Sequence, residues 1–306
     1  MRLFLSGSTG FIGHRVLPRL LDAGHEVIAL VRSASAAEAL TSEPSGKGSL
    51  RVEVGDLNDR TRLRSLLAEV RPEAALHLAW YVEPGHFWSA RQNLDCVAES
   101  LRLAQDLLDF GCRRLAGAGT CAEYDWSEPY PREDSPCRPA SLYGLAKDSV
   151  RRLWSRACEA EGASLLWLRY GFLYGPGERP QRLVPAVARA LLAGESPACS
   201  SGEQVRDFLY VDDLADATVA ALESDWEGPL NVGSGEPLPV KQIVNTLAEL
   251  IGGPGKPRLG ARPTAPGDPA LLVPDTTSLR EAIGWRPRTE LRAGLLACVR
   301  ELRNEP

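Results

Sequence analysis

Two rhythms alternate along this chain. Short, almost continuous apolar runs fall at residues 3–5, 25–31, 50–54, 74–79, 114–118 and 164–172, each the length of a strand buried on both faces. Between them lie stretches with apolar residues three or four apart, the spacing of a helix, at 11–23, 59–70, 92–110 and around 141–147. In the third of these the apolar positions are Leu94, Leu101, Leu103, Ala104, Leu107 and Leu108. Gly24 ends the first helix, and Pro18 inside it is expected to remove a hydrogen bond and bend the axis. Residues 33–49 read as a weak helix and loop, and 126–139 as a Pro-rich loop. The chain then changes character. A helix is expected at 181–194, a strand running into a helix at 205–214, a strand and glycine turn at 230–235, and a helix at 240–251. A Pro/Gly-rich stretch at 252–269 precedes a tail at 279–283 and a final helix. No internal repeat interrupts this order.

Composition narrows the class. The 306 residues suffice for one large or two modest domains, and 44% hydrophobic with 25% charged residues is ordinary for a soluble globular protein. No apolar run is long enough to span a bilayer, and the first strand begins without the features of a signal peptide. Seven scattered cysteines without a C-x-x-C pair suggest a reduced, cytoplasmic setting and no zinc or other metal site. The net charge of −5 argues against a general field for nucleic acid, so an anionic ligand needs local arginines.

Candidate chemistry gathers where the apolar runs end. The first leads into Gly7, Gly10 and Gly13, spaced G-x-x-G-x-x-G ahead of a helix. Such a turn lets the main chain approach a ligand, and the helix N-terminus behind it favours a pyrophosphate. The second run ends at Arg32, where an NAD-binding fold would carry an acidic residue for the ribose 2′-hydroxyl; arginine suits a 2′-phosphate. Asp56 lies just past the third run. His77, embedded in the fourth, reads as a packed core histidine. The aromatic loop from Trp80 to Trp88 suits either a pocket for a ring-shaped substrate or a cover over the sheet. Tyr143 and Lys147 stand four apart on a helix, and the ammonium is expected to lower the tyrosine pKa and make it a usable acid/base.

Gly55-Asp56, His77-Leu78-Ala79, Thr120 before Tyr124, Tyr143/Lys147, Leu168-Arg169-Tyr170, Tyr174-Gly175-Pro176-Gly177, Arg206-Asp207-Phe208, Asn231-Val232-Gly233 and Gly284-Trp285-Arg286-Pro287 join the glycine turn in one ordered set. Together they resemble the extended short-chain dehydrogenase/reductase family of nucleotide-sugar epimerases, dehydratases and reductases, over nearly the whole chain. The resemblance implies an α/β, Rossmann-like doubly wound parallel sheet with a smaller C-terminal α/β substrate domain. The expected division is 1–173 plus 206–232 for the dinucleotide, and 174–205 plus 233–306 for the substrate. It further implies Thr120 as the hydroxyl polarising a substrate carbonyl, Tyr143 as acid/base, and Lys147 on the nicotinamide ribose. Implied cofactor contacts are Gly7, Thr9, Gly10, Phe11, Ile12 and Gly13 at the turn. Arg32, Asp56, Leu57, Leu78, Ala79 and Tyr170 extend that set at later strand ends. Trp80, His86, Cys121, Arg182, Arg206 and Asp268 are the implied substrate contacts, with Arg206 favoured over Arg182 for a diphosphate.

Three departures shape the expected activity. Cys121-Ala122 follow Thr120 where family dehydratases carry Asp-Glu, which argues against 4,6-dehydration. Arg169-Tyr170-Gly171-Phe172 stands where the family often has R-Y-F-N, its asparagine near the substrate diphosphate, and Ala265 stands where it carries an arginine, although Gly267-Asp268 is present. The leading expectation is an NADP(H)-dependent ketoreductase, with NAD(H) as the other cofactor, acting on a nucleotide-linked deoxysugar, at C4. The alternatives are an epimerase with tightly held NAD and a non-catalytic dinucleotide-sensing protein. A small-molecule substrate is the expected partner, without nucleic acid or membrane; a homodimer is left open.

Overall fold

The computed structural model describes residues 1–42, 46–265 and 267–304. Residues 43–45 and 266, within the loops expected at 33–49 and 252–269, lie outside the described residues, as do 305 and 306. The first half follows the alternation read from the sequence: β1 (Arg2–Ser6), α1 (Gly13–Asp22), β2 (Glu26–Val31), α2 (Ala34–Thr41), β3 (Ser49–Val54), α3 (Arg60–Val70), β4 (Ala74–His77), α4 (Gln92–Asp109), β5 (Arg114–Thr120), α5 (Leu142–Glu161) and β6 (Ser164–Tyr170). The second half is more broken: β7 (Phe172–Tyr174), α6 (Leu183–Leu192), β8 (Val205–Arg206), β9 (Phe208–Tyr210), α7 (Val211–Glu223), β10 (Gly228–Val232), β11 (Leu238–Pro239), α8 (Val240–Ile251), β12 (Leu271–Leu272), α9 (Thr277–Glu281) and α10 (Leu291–Asn304).

Seven parallel strands form the main sheet in the order β10-β6-β5-β4-β1-β2-β3. Successive side chains of a strand face opposite ways, so each strand feeds two cores. Leu3 and Leu5 pack with α1, α2 and α7, while Phe4 and Ile28 pack with α3, α4 and α5 on the other face. This is the doubly wound arrangement. A separate apolar core joins α6, α8 and α10 around Tyr174, Ile243 and Leu295.

Local expectations fail where a side chain or a neighbouring strand overrules the apolar pattern. The run 164–172 breaks at Gly171: Tyr170 still pairs with β10, but Phe172 pairs with β9 in a small second sheet. The run 205–214 breaks likewise at Asp207. Its buried carboxylate accepts hydrogen bonds from the Ser234 and Gly235 amides and the Ser234 hydroxyl, which bends the chain between β8 and β9. Pro18 sits within a continuous α1, because Val16, Leu17, Leu20 and Leu21 are all buried against the sheet and packing outweighs one lost bond. Leu94, expected in the apolar stripe of α4, is 54% exposed; the buried position in that first turn is the neighbouring Asn93.

Candidate active site

Chain direction away from the sheet reverses between β1 and β4, the place where open α/β sheets hold ligands beyond their strand ends. The glycine turn lies there. Gly7 takes φ +82°, and a Cβ on it would come 2.6 Å from the Ala79 nitrogen; one on Gly13 would come 2.0 Å from the Gly7 carbonyl. The turn is therefore wedged between the 78–79 segment and the first turn of α1. No side chain caps the N-terminus of α1, so main-chain N–H groups at Phe11, Ile12 and Gly13 are oriented for an anion, with exposed Thr9 and Gly10 beside them. This cradle fits the pyrophosphate of a dinucleotide. Arg32 follows β2 and Asp56 follows β3, both exposed, with Leu57 and Leu78 half-buried nearby. Tyr170 presents only its main chain to this end of the sheet. Its side chain enters the core and its hydroxyl meets Thr218 at 3.0 Å.

Thr120, Tyr143 and Lys147 come together at the end of β5, but not in the way the helix spacing suggests. The Thr120 hydroxyl accepts from the Ala122 amide at 3.2 Å and lies close enough to the Tyr143 phenol to influence it. Lys147 is engaged elsewhere than at the Tyr143 hydroxyl: its Nζ donates to the Ala118 carbonyl at 2.7 Å and lies 3.8 Å from the centre of the Trp80 ring. Burial moves both groups. It draws the Lys147 ammonium down to about 7, opposed by the Glu123 carboxylate. It pushes the Tyr143 phenol well up, a direction that Glu123 reinforces and the Thr120 hydroxyl opposes. The expected lowering of the tyrosine pKa by lysine is thus corrected: desolvation dominates, the ammonium is not among the groups that shift Tyr143, and the phenol holds its proton.

His77 is a core histidine, as expected. Ser100 gives its own hydrogen to the Cys96 carbonyl, so it accepts from His77 Nε2 at 2.9 Å, and Nδ1 accepts from Ser6 at 2.6 Å. Burial holds the ring neutral, down to about 3. Cys121 is also buried, its thiol pushed up to about 12 by desolvation, which leaves little thiolate for nucleophilic work.

Aromatic rings surround Tyr143. Phe87, Trp88 and Trp80 meet it edge-on at centroid distances of 4.9, 5.8 and 6.5 Å. Trp88 also meets Trp126 edge-on at 5.9 Å and stays 37% exposed, the open wall of the group. The loop is held by Asn93, which is fully buried. Its side-chain amide donates to the Phe87 and Ala90 carbonyls and accepts from Trp80 Nε1. The Tyr143 amide bonds the Trp88 carbonyl at 3.1 Å, so loop and helix are stitched together. His86 is exposed on the loop, outside this cluster. Asn93 was not foreseen; a polar residue opening the first turn of a helix was its only signal.

The expected anion-binding arginines behave differently from each other. Arg206 is buried and ion-paired with Asp268, and its Nη1 donates to the Val205 carbonyl at 2.7 Å. The residue favoured for a diphosphate is therefore already occupied, and by another expected substrate contact. Arg182 is exposed, 5.5 Å from the centre of the Phe87 ring. Its neighbours Gln181 and Leu183 line a cavity of about 640 Å³ between α6, the start of α8 and the loops at 197–202 and 259–265. Arg182 thus stands between that cavity and Tyr143. Ala265 lines the cavity, and so does Arg262, three residues before it.

Comparison with known proteins agrees with this geometry. The profile of the NAD dependent epimerase/dehydratase family matches residues 3–233. UDP-glucose 4-epimerase of Mycolicibacterium smegmatis is 29% identical, covering 100% of this chain and 99% of its own length. The 3-diazoavenalumate denitrifying reductase of a Streptomyces species is 32% identical over 94% of this chain and 96% of its own. UDP-glucose 4-epimerase of Thermus thermophilus, solved with NAD, superposes with a TM-score of 0.82 at 27% identity, covering 99% of each chain.

Proposed function

The chain belongs to the NAD dependent epimerase/dehydratase family, an NAD(P)-dependent oxidoreductase or epimerase, and from that premise we propose that it reduces a ring ketone, at C4, of a nucleotide-linked deoxysugar with NADP(H). The observation that carries this reading is the buried Tyr143 set inside an aromatic wall on the helix that follows Thr120, with Arg32 exposed at the end of β2. Such a tyrosine can give a proton to a ketone oxygen in reduction or take one from an alcohol in oxidation, so the preference for reduction rests on Arg32, whose guanidinium suits the 2′-phosphate of NADP(H).

The dinucleotide would supply a hydride from its nicotinamide ring. The chain supplies the rest. The turn from Gly7 to Gly13 holds the pyrophosphate, and Arg32 meets the 2′-phosphate of NADP(H). Thr120 Oγ donates to the carbonyl oxygen; the Ala122 amide behind it strengthens that donor. Tyr143 passes its proton to the same oxygen, and Lys147 holds the ribose hydroxyls once the dinucleotide is bound. Trp88 and Trp126 offer the sugar an apolar face, which suits a ring lacking hydroxyls. The cavity takes the nucleoside and Arg182 the diphosphate between the two sites. Residues 1–173 plus 206–232 thereby serve the cofactor, and 174–205 plus 233–306 the substrate.

Incubation with a panel of nucleotide-linked 4-keto-6-deoxyhexoses and NADPH, read by mass spectrometry, should yield a product two mass units heavier. Efficient reduction of neutral, non-nucleotide ketones without competition by nucleotide diphosphates would reject the reading. A second reading, epimerisation with retained NAD, draws on the UDP-glucose 4-epimerase relatives. It requires NAD to stay with the protein through purification and UDP-glucose to interconvert with its C4 epimer.

A further inference from the structure

Beneath Thr120 lies a carboxylate that none of the expected roles uses. Glu123 is fully buried at the end of the short 3₁₀ turn Cys121–Glu123. Its Oε1 accepts from the Thr120 amide at 2.8 Å and from Trp167 Nε1 at 2.9 Å; its Oε2 accepts from Arg169 Nε at 2.8 Å. Arg169 is 1% exposed and also donates to the Tyr124 hydroxyl at 2.8 Å and the Glu133 carbonyl at 3.0 Å. Strand β5 is shaped to admit this group. A Cβ on Gly119 would come 2.7 Å from Glu123 Oε1 and 2.3 Å from Trp167 Nε1, and one on Gly117 would come 2.5 Å from the Trp167 ring. Small residues on a central strand thus make room for an indole, an arginine and a carboxylate that converge on one main-chain amide.

A buried charge of this kind is costly unless it is paired and hydrogen-bonded throughout. An apolar residue would fill the same space more simply. We propose that Glu123 is a positioning residue: by gripping the Thr120 amide it fixes the Thr120 hydroxyl at the site of carbonyl reduction. The inference rests on the reading of Thr120 as the polarising hydroxyl. Its reach extends further, because Thr120 Oγ accepts from Ala122 within the same turn, so one clamp sets both the place and the direction of the hydroxyl. Glu123 is also the carboxylate that bears on both Tyr143 and Lys147.

Removing Glu123 alone leaves Arg169 buried without its partner, so the test uses two charge-neutral double variants. Glu123→Gln/Arg169→Gln keeps an acceptor for the Thr120 amide; Glu123→Ala/Arg169→Gln does not. With a nucleotide-linked 4-keto-6-deoxyhexose and NADPH, the alanine double variant should lose about 10- to 100-fold in kcat, with KM and NADPH affinity within about 3-fold of wild type. The glutamine double variant should stay within about 3-fold in kcat. Adding Thr120→Val to the alanine double variant should cost little more, because both changes remove the same contribution. Equal kcat in the two double variants, a loss confined to KM, or fully additive losses with Thr120→Val would overturn the proposal. Exchange of the Thr120 amide, followed by NMR, decides it without substrate. It should be at least about 10-fold slower with glutamine than with alanine at 123, and equal rates would refute the clamp. If the wild type turns over no nucleotide-linked ketone, the substrate reading fails while the amide measurement still judges Glu123.

Discussion

The floor of the candidate site and its rim are built on opposite plans. On the floor, polar groups are held by protein partners: Thr120 holds Ala122, Lys147 holds the Ala118 carbonyl and the Trp80 ring, and Glu123 holds Arg169. At the rim, Arg32 and Arg182 extend into solvent. The contrast separates the two jobs of such a site. Groups that handle the proton must stand still before the ligand arrives, since misplacement by an ångström is costly. Groups that recognise phosphate gain from waiting in water, where an unpaired guanidinium costs little and binds firmly when a phosphate displaces solvent. Arg206 is the exception that sharpens the rule: positioned by sequence for the rim, it is built like the floor.

The largest effect should come from breaking the floor. Tyr143→Phe keeps the ring and its aromatic neighbours but removes the proton, and should lower kcat by about 10²–10⁴-fold with NADPH affinity nearly unchanged. Near wild-type turnover would sink the assignment. The rim should respond in affinity. Arg32→Ala should lower kcat/KM about 10- to 100-fold with NADPH and hardly at all with NADH; equal losses would remove Arg32 from the cofactor site. Arg182→Ala should raise KM for the nucleotide sugar about 10-fold at steady kcat, judged by initial rates, and an unchanged KM would return the diphosphate to Arg206.

A smaller effect tests the cost of the floor itself. Lys147 is 3% exposed and drawn from its ordinary 10.5 down to about 7. Its native form therefore binds protons more weakly than its unfolded form. The penalty is complete below about pH 7 and fades as pH rises toward 10.5, where the unfolded lysine is neutral as well. Lys147→Met should abolish turnover yet raise Tm by about 3–10 °C at pH 7, and the gain should shrink toward pH 10 in thermal scans. A gain independent of pH would trace to packing instead.

How much of this could be read from the sequence depends on the distance over which each feature is decided. The glycine turn and the Tyr143/Lys147 pair are local patterns, and both stand where the alternation of strands and helices put them. The i,i+4 spacing gave the proximity of Tyr143 and Lys147 but not their burial, and burial reversed the expected pKa. The breaks at Gly171 and Asp207 escaped notice because an apolar run does not tell which strand it pairs with. The Arg206–Asp268 pair joins residues 62 apart, which no local pattern connects. Glu123 was legible after all. Thr120-Cys121-Ala122-Glu123 is the T-x-x-E pattern of a capping box, and the structure forms one.

The sheet order also dictates a schedule for synthesis. When a ribosome has made β6, one edge of that strand has no partner, because β10 arrives only with residues 228–232. The Arg114 guanidinium, at the start of β5, waits equally long for the carbonyls of Ala221, Leu222 and Trp226. An open edge invites pairing with other chains. Between residue 170 and residue 232 the growing chain therefore carries an unpaired strand edge, and a chain stalled in that interval leaves the edge open to other chains.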